Sequence, residues 1–207
     1  MKKASFFWVS YSDLMTSLFF LMLVLYVSSF SIVKARMDQV KEIENVEKAL
    51  SGLDKKYFDY DDVNKRYKLK VDIVFPKNSA NLFAVDVDKR HSLYLAGKSL
   101  YSKIDSIINQ NKSVDYLLII EGNTQRTANN WINAPDVGYK LSYKRALALY
   151  NFWKSKGIDF RNLGNQCEVI LAGSGYFGQS RDSTTERNNR RFTIQITSKV
   201  GKFLEKK

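Results

Sequence analysis

The sequence contains one cysteine, Cys167, and one histidine, His91, among its 207 residues. An intrachain disulfide is thereby excluded, and a zinc-type cluster of His and Cys cannot be assembled from one of each. Cys167 sits in the apolar run Cys-Glu-Val-Ile-Leu and reads as core packing, compatible with either side of a membrane. A Walker loop is missing, as is any Ser-His-Asp spacing, so hydrolysis has no support in the motifs. The expectation is a non-enzyme with no metal site and no cofactor. Acidic residues are in deficit, 21 against 33 Lys and Arg, for a net charge of +12. An excess of this size suits an acidic partner, whether nucleic acid, anionic lipid or a carboxylate-rich cell wall, and charge alone does not choose among them.

Charge is absent from Ala4 to Val33, with one exception, Asp13. At roughly 1.5 Å per residue this run exceeds a hydrocarbon core of about 30 Å, so it is expected to form a single, tilted transmembrane helix. A carboxylate inside the bilayer costs roughly 2.5–3.5 kcal/mol and by default marks an ion or proton path. Ser10, Ser12, Thr16 and Ser17 surround Asp13 with hydroxyls that can bind an ion or assist a relay. Two other readings stand beside this one: a secretory signal peptide led by Lys2 and Lys3, and an interfacial, hydrated Asp13. The run is long for a signal, and it ends in Ser-Ser-Phe-Ser without a small-x-small cleavage site. Lys2 and Lys3 favour a cytoplasmic N-terminus, although Lys34 and Arg36 follow the span.

Beyond the span, Val33, Val40, Ile43, Val46, Leu50 and Leu53 recur at three- and four-residue steps among charged residues. The pattern predicts an amphipathic helix with a narrow apolar seam, which suits a homodimeric coiled coil or packing on its own domain. Residues 55–68 mix charge with Tyr57, Phe58, Tyr60 and Tyr67 and read as a linker or docking segment. Alternation over residues 67–75 predicts a first strand, ended at Pro76. A helix through Leu93, Leu100, Ile104 and Ile108 follows. Residues 114–121 are nearly continuous in apolar side chains, as in a central strand covered on both faces. A long polar loop, 122–138, leads to a helix starting at Leu141-Ser142 and stopped by Gly157. Strands over 167–172 and 192–197 complete a two-layer α/β sandwich on a mixed sheet, an α+β arrangement. The chain thus divides into a short N-terminus and transmembrane helix (1–33), an amphipathic helix and linker (34–66), one soluble domain (67–198) and a basic tail (199–207).

Four motifs in this order resemble the OmpA-like peptidoglycan-binding domain. They are Ile73-Val-Phe75 with Ser79-Ala-Asn-Leu82, Glu121-Gly-Asn-Thr124, Leu141-Ser-x-x-Arg145-Ala146, and Asn189-Arg-Arg191 before Phe192-Thr-Ile-Gln-Ile196. The resemblance implies a pocket for the diaminopimelate of the wall peptide, with Asn123, Thr124, Leu141, Arg145, Asn189 and Arg190 as binding residues. In that family an acid on the second-strand loop meets the amine and the Arg meets a carboxylate. Arg145 matches, but the position after Thr124 is Gln125, and Gly138 stands where the family often has Asn. Asp136 or Glu121 could substitute for the acid, or the wall is bound weakly, or the ligand differs. Arg145 could equally be a helix-start residue paired with solvent or a neighbouring carboxylate.

The N-terminal stretch Phe7-Trp-Val-Ser-Tyr-Ser-Asp13-Leu-Met-Thr16 resembles the membrane segment of MotB-type motor subunits, and is most similar to the Zorya anti-phage B subunits (ZorB). This implies an inner-membrane, single-pass homodimer with a periplasmic domain, held inside a pentameric ring of a MotA- or ZorA-like subunit. Asp13, assisted by Ser12 and Thr16, would carry H⁺ or Na⁺ under the membrane potential, worth about 2.3 kcal/mol per charge per 100 mV. The compact tether favours the Zorya type over a flagellar or gliding stator. A passive wall anchor is the alternative without ion transport, and a membrane-tethered nucleic-acid binder has only charge and tyrosines behind it, so nucleic acid is not an expected partner.

Overall fold

A computed structural model describes residues 3–198, apart from 51, 72, 74, 77, 111, 113 and 128. The chain falls into two compact units, one N-terminal and helical, the other beginning near Val46. The first is built on α1, a single 48-residue helix, Lys3–Leu50. At about 1.5 Å per residue α1 is roughly 70 Å long, well beyond a bilayer core. Its stretch Trp8–Asp38 is long and apolar enough to cross a membrane, and none of it is buried within the structure. Met22, Tyr26 and Trp8 are more than 60% exposed, an arrangement that water penalises and lipid does not. Ile43, Val46 and Leu50, on the expected seam, have side chains outside the described ones.

The second unit contains β1 (Phe58–Asp61), β2 (Arg66–Leu69), α2 (Val87–Gln110), β3 (Tyr116–Gly122), the single turn α3 (Asn130–Asn133), α4 (Pro135–Ser155), β4 (Cys167–Gly173) and β5 (Phe192–Ser198). The sheet order is β1-β2-β5-β3-β4, with β3 and β4 parallel and every other pair antiparallel. It is the α/β sandwich on a mixed sheet that the sequence pattern leads one to expect, preceded by one apolar helix.

Four local expectations are corrected. Residues 55–68 are not a linker: β1 and β2 form a hairpin in which Asp61 pairs with Arg66. The Asp61 carboxylate accepts from the backbone and side-chain nitrogens of Asn64 and pairs with Lys68 at 2.7 Å, and Lys65 takes a positive φ of 51°. An Asx-type turn thus closes the hairpin, and Tyr60 lies against Tyr67 with ring centroids 4.7 Å apart. The strand expected over 67–75 has ladder bonds only as far as Leu69, although Ile73 and Phe75 remain core residues. Helix α4 begins at Pro135, well before Leu141, because proline at the first helical position needs no N–H partner. Strand β3 alternates buried and half-buried residues, so it is not equally covered on both faces. On the less covered face Glu121 pairs with Arg66 at 2.7 Å and accepts from Thr193.

The core is one contiguous cluster in which α2 and α4 meet through Trp153. Its indole is fully buried and donates to the Leu93 carbonyl at 2.8 Å, so its polar atom is satisfied. Cys167 is buried in the same cluster, and burial alone pushes its thiol up to about 11, as befits a core residue.

Two glycines let α4 approach the carboxyl ends of β3 and β4. Gly122 and Gly173 are register partners. A Cβ on Gly122 would lie 2.1 Å from the Ser142 carbonyl oxygen, and one on Gly173 would lie 2.5 Å from the Tyr143 nitrogen. Both obstacles are backbone, so neither can swing aside. Gly122→Ala is expected to cost about 1–3 kcal/mol through overpacking and to lower the thermal unfolding midpoint. An unchanged midpoint would mean that α4 sits farther from the sheet.

Candidate binding pocket

The carboxyl end of β3, the N-terminal half of α4, the turn after Phe75 and the loop before β5 converge on one pocket. Its volume is about 330 Å³, and Phe75, Pro76, Thr124, Gln125, Leu141, Arg145, Tyr176 and Arg190 line it together with Asn78 and Thr127. Three of the four motifs read from the sequence therefore contribute lining residues, namely Thr124, Leu141 with Arg145, and Arg190, and the remaining one contributes Phe75.

Arg145 is the central group. Ser142, one turn earlier on α4, is fully buried; its hydroxyl donates to the Tyr139 carbonyl and accepts from the Gly175 N–H, both at 2.9 Å. Ala146 is fully buried next to Gly122. With those neighbours seated on the sheet, Arg145 is carried to the sheet's end, where it is only 5% exposed. Its guanidinium donates to the carbonyls of Ser79 and Asn123, each at 3.3 Å, and stands 4.6 Å from the centre of the Phe75 ring. Burial and the neighbouring Arg190 charge lower its pKa to about 10, still far above neutrality. Among the described residues it forms no salt bridge. A buried cation served only by carbonyls and an aromatic face is a strong site for an anion, and its planar fork fits a carboxylate.

Neither candidate for the missing acid lies in the pocket. Glu121 is on the sheet surface with Arg66, and Asp136 is exposed in the first turn of α4. At the expected position stands Gln125, whose carboxamide oxygen is buried and without a partner, and the Thr124 hydroxyl is likewise buried and unpartnered.

Asn123 and Asn189 have structural surroundings instead of pocket positions. Asn123 donates to the Thr193 hydroxyl and accepts from Ser174 at 2.6 Å, while its backbone carbonyl receives Arg145. Asn189 bridges its own loop, accepting from the Asp182 N–H and donating to the Asp182 carbonyl and the Glu186 carboxylate. Sequence reasoning missed Tyr176, Asn78 and Thr127 in the lining, and it missed Glu186. One oxygen of that carboxylate accepts from the Arg126 N–H, from Arg181 at 2.5 Å and from Asn189, clamping the loop that carries Arg190 to the exit of β3. Above this clamp Arg126 stacks on Trp131 at 4.7 Å.

On α1, Asp13, Ser12 and Thr16 are all exposed. The Thr16 hydroxyl donates to the Ser12 carbonyl at 2.7 Å. At 100° per residue Ser10, Thr16 and Ser17 lie within about 60° of Asp13, giving a polar stripe on a largely apolar surface, whereas Ser12 points about 100° away.

No protein-family model matches the sequence, and neither does any curated protein. Among solved structures, the periplasmic domain of Helicobacter pylori MotB is similar at 16% identity and TM-score 0.42, over 70% of this chain and 91% of that one. The cell wall anchor of the Pseudomonas aeruginosa T6SS aligns at 15% identity and TM-score 0.39, over 73% and 94%. The peptidoglycan-associated lipoprotein of Burkholderia pseudomallei aligns at 16% identity and TM-score 0.33, over 60% and 88%.

Asp182 ties the loop after β4 together. Its carboxylate accepts from the Thr184 hydroxyl, the Asn188 amide and the backbone N–H groups of Thr185 and Thr184, which together hold it well below the usual carboxylate range. A depressed carboxylate contributes above its unfolded value, about 3.9, and that contribution is lost as pH falls through the folded value. Amide protection at Thr184 and Thr185 should therefore persist from pH 7 down to about 4 and disappear at pH 7 in Asp182→Ala. Loss of protection in the wild type between pH 6 and 5 would contradict this.

Proposed function

We propose that this chain is the B subunit of a proton-driven motor of the bacterial inner membrane, anchored to peptidoglycan through its α/β domain. One observation carries the motor reading: Asp13 is the only charge from Ala4 to Val33, on a helix whose apolar stretch Trp8–Asp38 is unburied among the described residues. Protonation or cation binding at Asp13 neutralises the helix and allows it to face a different surface of a surrounding ring. Release restores the charge. Two copies of the chain inside a pentameric MotA- or ZorA-like ring would make the two carboxylates alternate in this cycle. The anchor reading is supported by the meeting of Phe75, Thr124, Leu141, Arg145 and Arg190 in one cationic pocket. A wall-held dimer is the fixed element against which the ring turns; an unheld dimer would rotate with it and transmit no torque.

Within this class a Zorya-type defence motor is favoured over a flagellar or gliding stator by the short tether. Leu53 and Tyr57 are already core residues, and β1 starts at Phe58, so little extended chain follows α1. The N-terminus would be cytoplasmic and the α/β domain periplasmic.

Asp13→Asn is expected to abolish ion-dependent function while membrane insertion and partner assembly persist, as read by phage protection and copurification. Full activity of that variant would reduce the chain to a passive anchor. Arg145→Ala is expected to eliminate cosedimentation of the detergent-solubilised chain with purified cell wall, and undiminished binding would remove the pocket from the anchor.

A further inference from the structure

The charge inventory of the pocket does not match a zwitterion. Arg145 and Arg190 both line it, and among the described residues no carboxylate does. The nearby acids are engaged in the architecture: Glu121 with Arg66 and Thr193, Glu186 with Arg181, Arg126 and Asn189. A free ammonium brought in beside a bound carboxylate would face two guanidiniums without an opposing charge, and like-charge juxtaposition of this kind is costly. The unpartnered groups are of another kind. The Gln125 carboxamide oxygen is buried and lacks a donor, and the Thr124 hydroxyl is buried and lacks any partner. Both groups are uncharged, so the wall beside the two guanidiniums offers a neutral amide an uncharged neighbourhood and offers an ammonium no counter-charge.

We infer that the pocket selects an amino-acid carboxylate whose neighbouring amine is acylated, and discriminates against the same end carrying a free ammonium. In this arrangement Arg145 and Arg190 hold the carboxylate, and the acylated nitrogen beside it, being neutral, brings no charge to face the two guanidiniums. The inference rests on the wall-binding reading and sharpens it: the anchor grips peptide ends whose amines are already consumed in cross-links, in preference to uncross-linked ends. A motor attached in this way loads the covalent mesh and not a dangling peptide.

The test uses the full chain in detergent and two synthetic stem peptides ending in diaminopimelate, one with its side-chain amine free and one with that amine acetylated. Titration calorimetry should give an acetylated probe bound about tenfold more tightly, the scale of one partly screened like-charge juxtaposition avoided. Gln125→Asp should reverse the order by restoring a counter-charge for the ammonium. Equal or tighter binding of the free-amine probe by the wild type overturns the selectivity and leaves wall binding standing. Binding of neither probe overturns both. The wild-type comparison is decisive without the variant, so a Gln125→Asp chain that fails to fold does not rescue the inference.

Discussion

The close approach of α4 to the ends of β3 and β4 is the constraint on which the pocket depends. Gly122 and Gly173, side by side in the sheet, leave the room that the backbone of Ser142 and Tyr143 fills. Ser142 then fixes the helix to the Gly175 turn through its hydroxyl, and Arg145, nearly one turn later, is driven under the Asn123 carbonyl. Burying a guanidinium without a carboxylate costs several kcal/mol. Such a group is maintained by the packing around it, and it is relieved by an anion from outside. The packing of two small residues is in this way converted into an anion site.

Acidic side chains are in deficit in this chain, and several of them hold turns and loops in place. Asp61 closes the β1–β2 turn, Asp182 orders the loop after β4, and Glu186 ties that loop to the exit of β3. Their carboxylates are surrounded by backbone N–H groups and cations, so none is left to oppose Arg145 and Arg190. The basic excess of the whole chain, +12, is thus expressed locally as a pocket with two cations and neutral acceptors. Gln125 is consistent with that balance, because a carboxamide can accept a hydrogen bond without changing the field.

Much of this was legible in the residues. Leu-Ser-x-x-Arg-Ala announced the buried arginine, and the spacing of Leu93, Leu100 and Ile104 announced α2, because helical periodicity and the demands of a close-packed face are written in side-chain size. The hairpin was not legible. Its strands are four residues each and carry Asp and Lys beside tyrosines, so the alternation is too brief to separate from a polar linker. The Asp61–Asn64 turn was the available signal. The early start of α4 was marked only by Pro135-Asp136, in a stretch whose polarity otherwise reads as loop. Asn123 and Asn189 were expected in the pocket and instead brace it, because an Asn offers both a donor and acceptors to backbone in a way that sequence cannot distinguish from ligand contact. Glu186 and Tyr176 come from a loop whose geometry is fixed by long-range hydrogen bonds, and local sequence carries no record of these.

Asp13 ties the two units into one functional account, since a carboxylate on an apolar helix is useful only if something opposes it in the membrane. The most direct measurement is a cryo-electron-microscopy structure of the chain copurified with its membrane partner. For the proposed motor, two copies of α1 enclosed by five partner subunits are expected, with Asp13 of each copy facing partner helices. A chain that purifies without a membrane partner, or a complex in which Asp13 faces lipid, would contradict the motor.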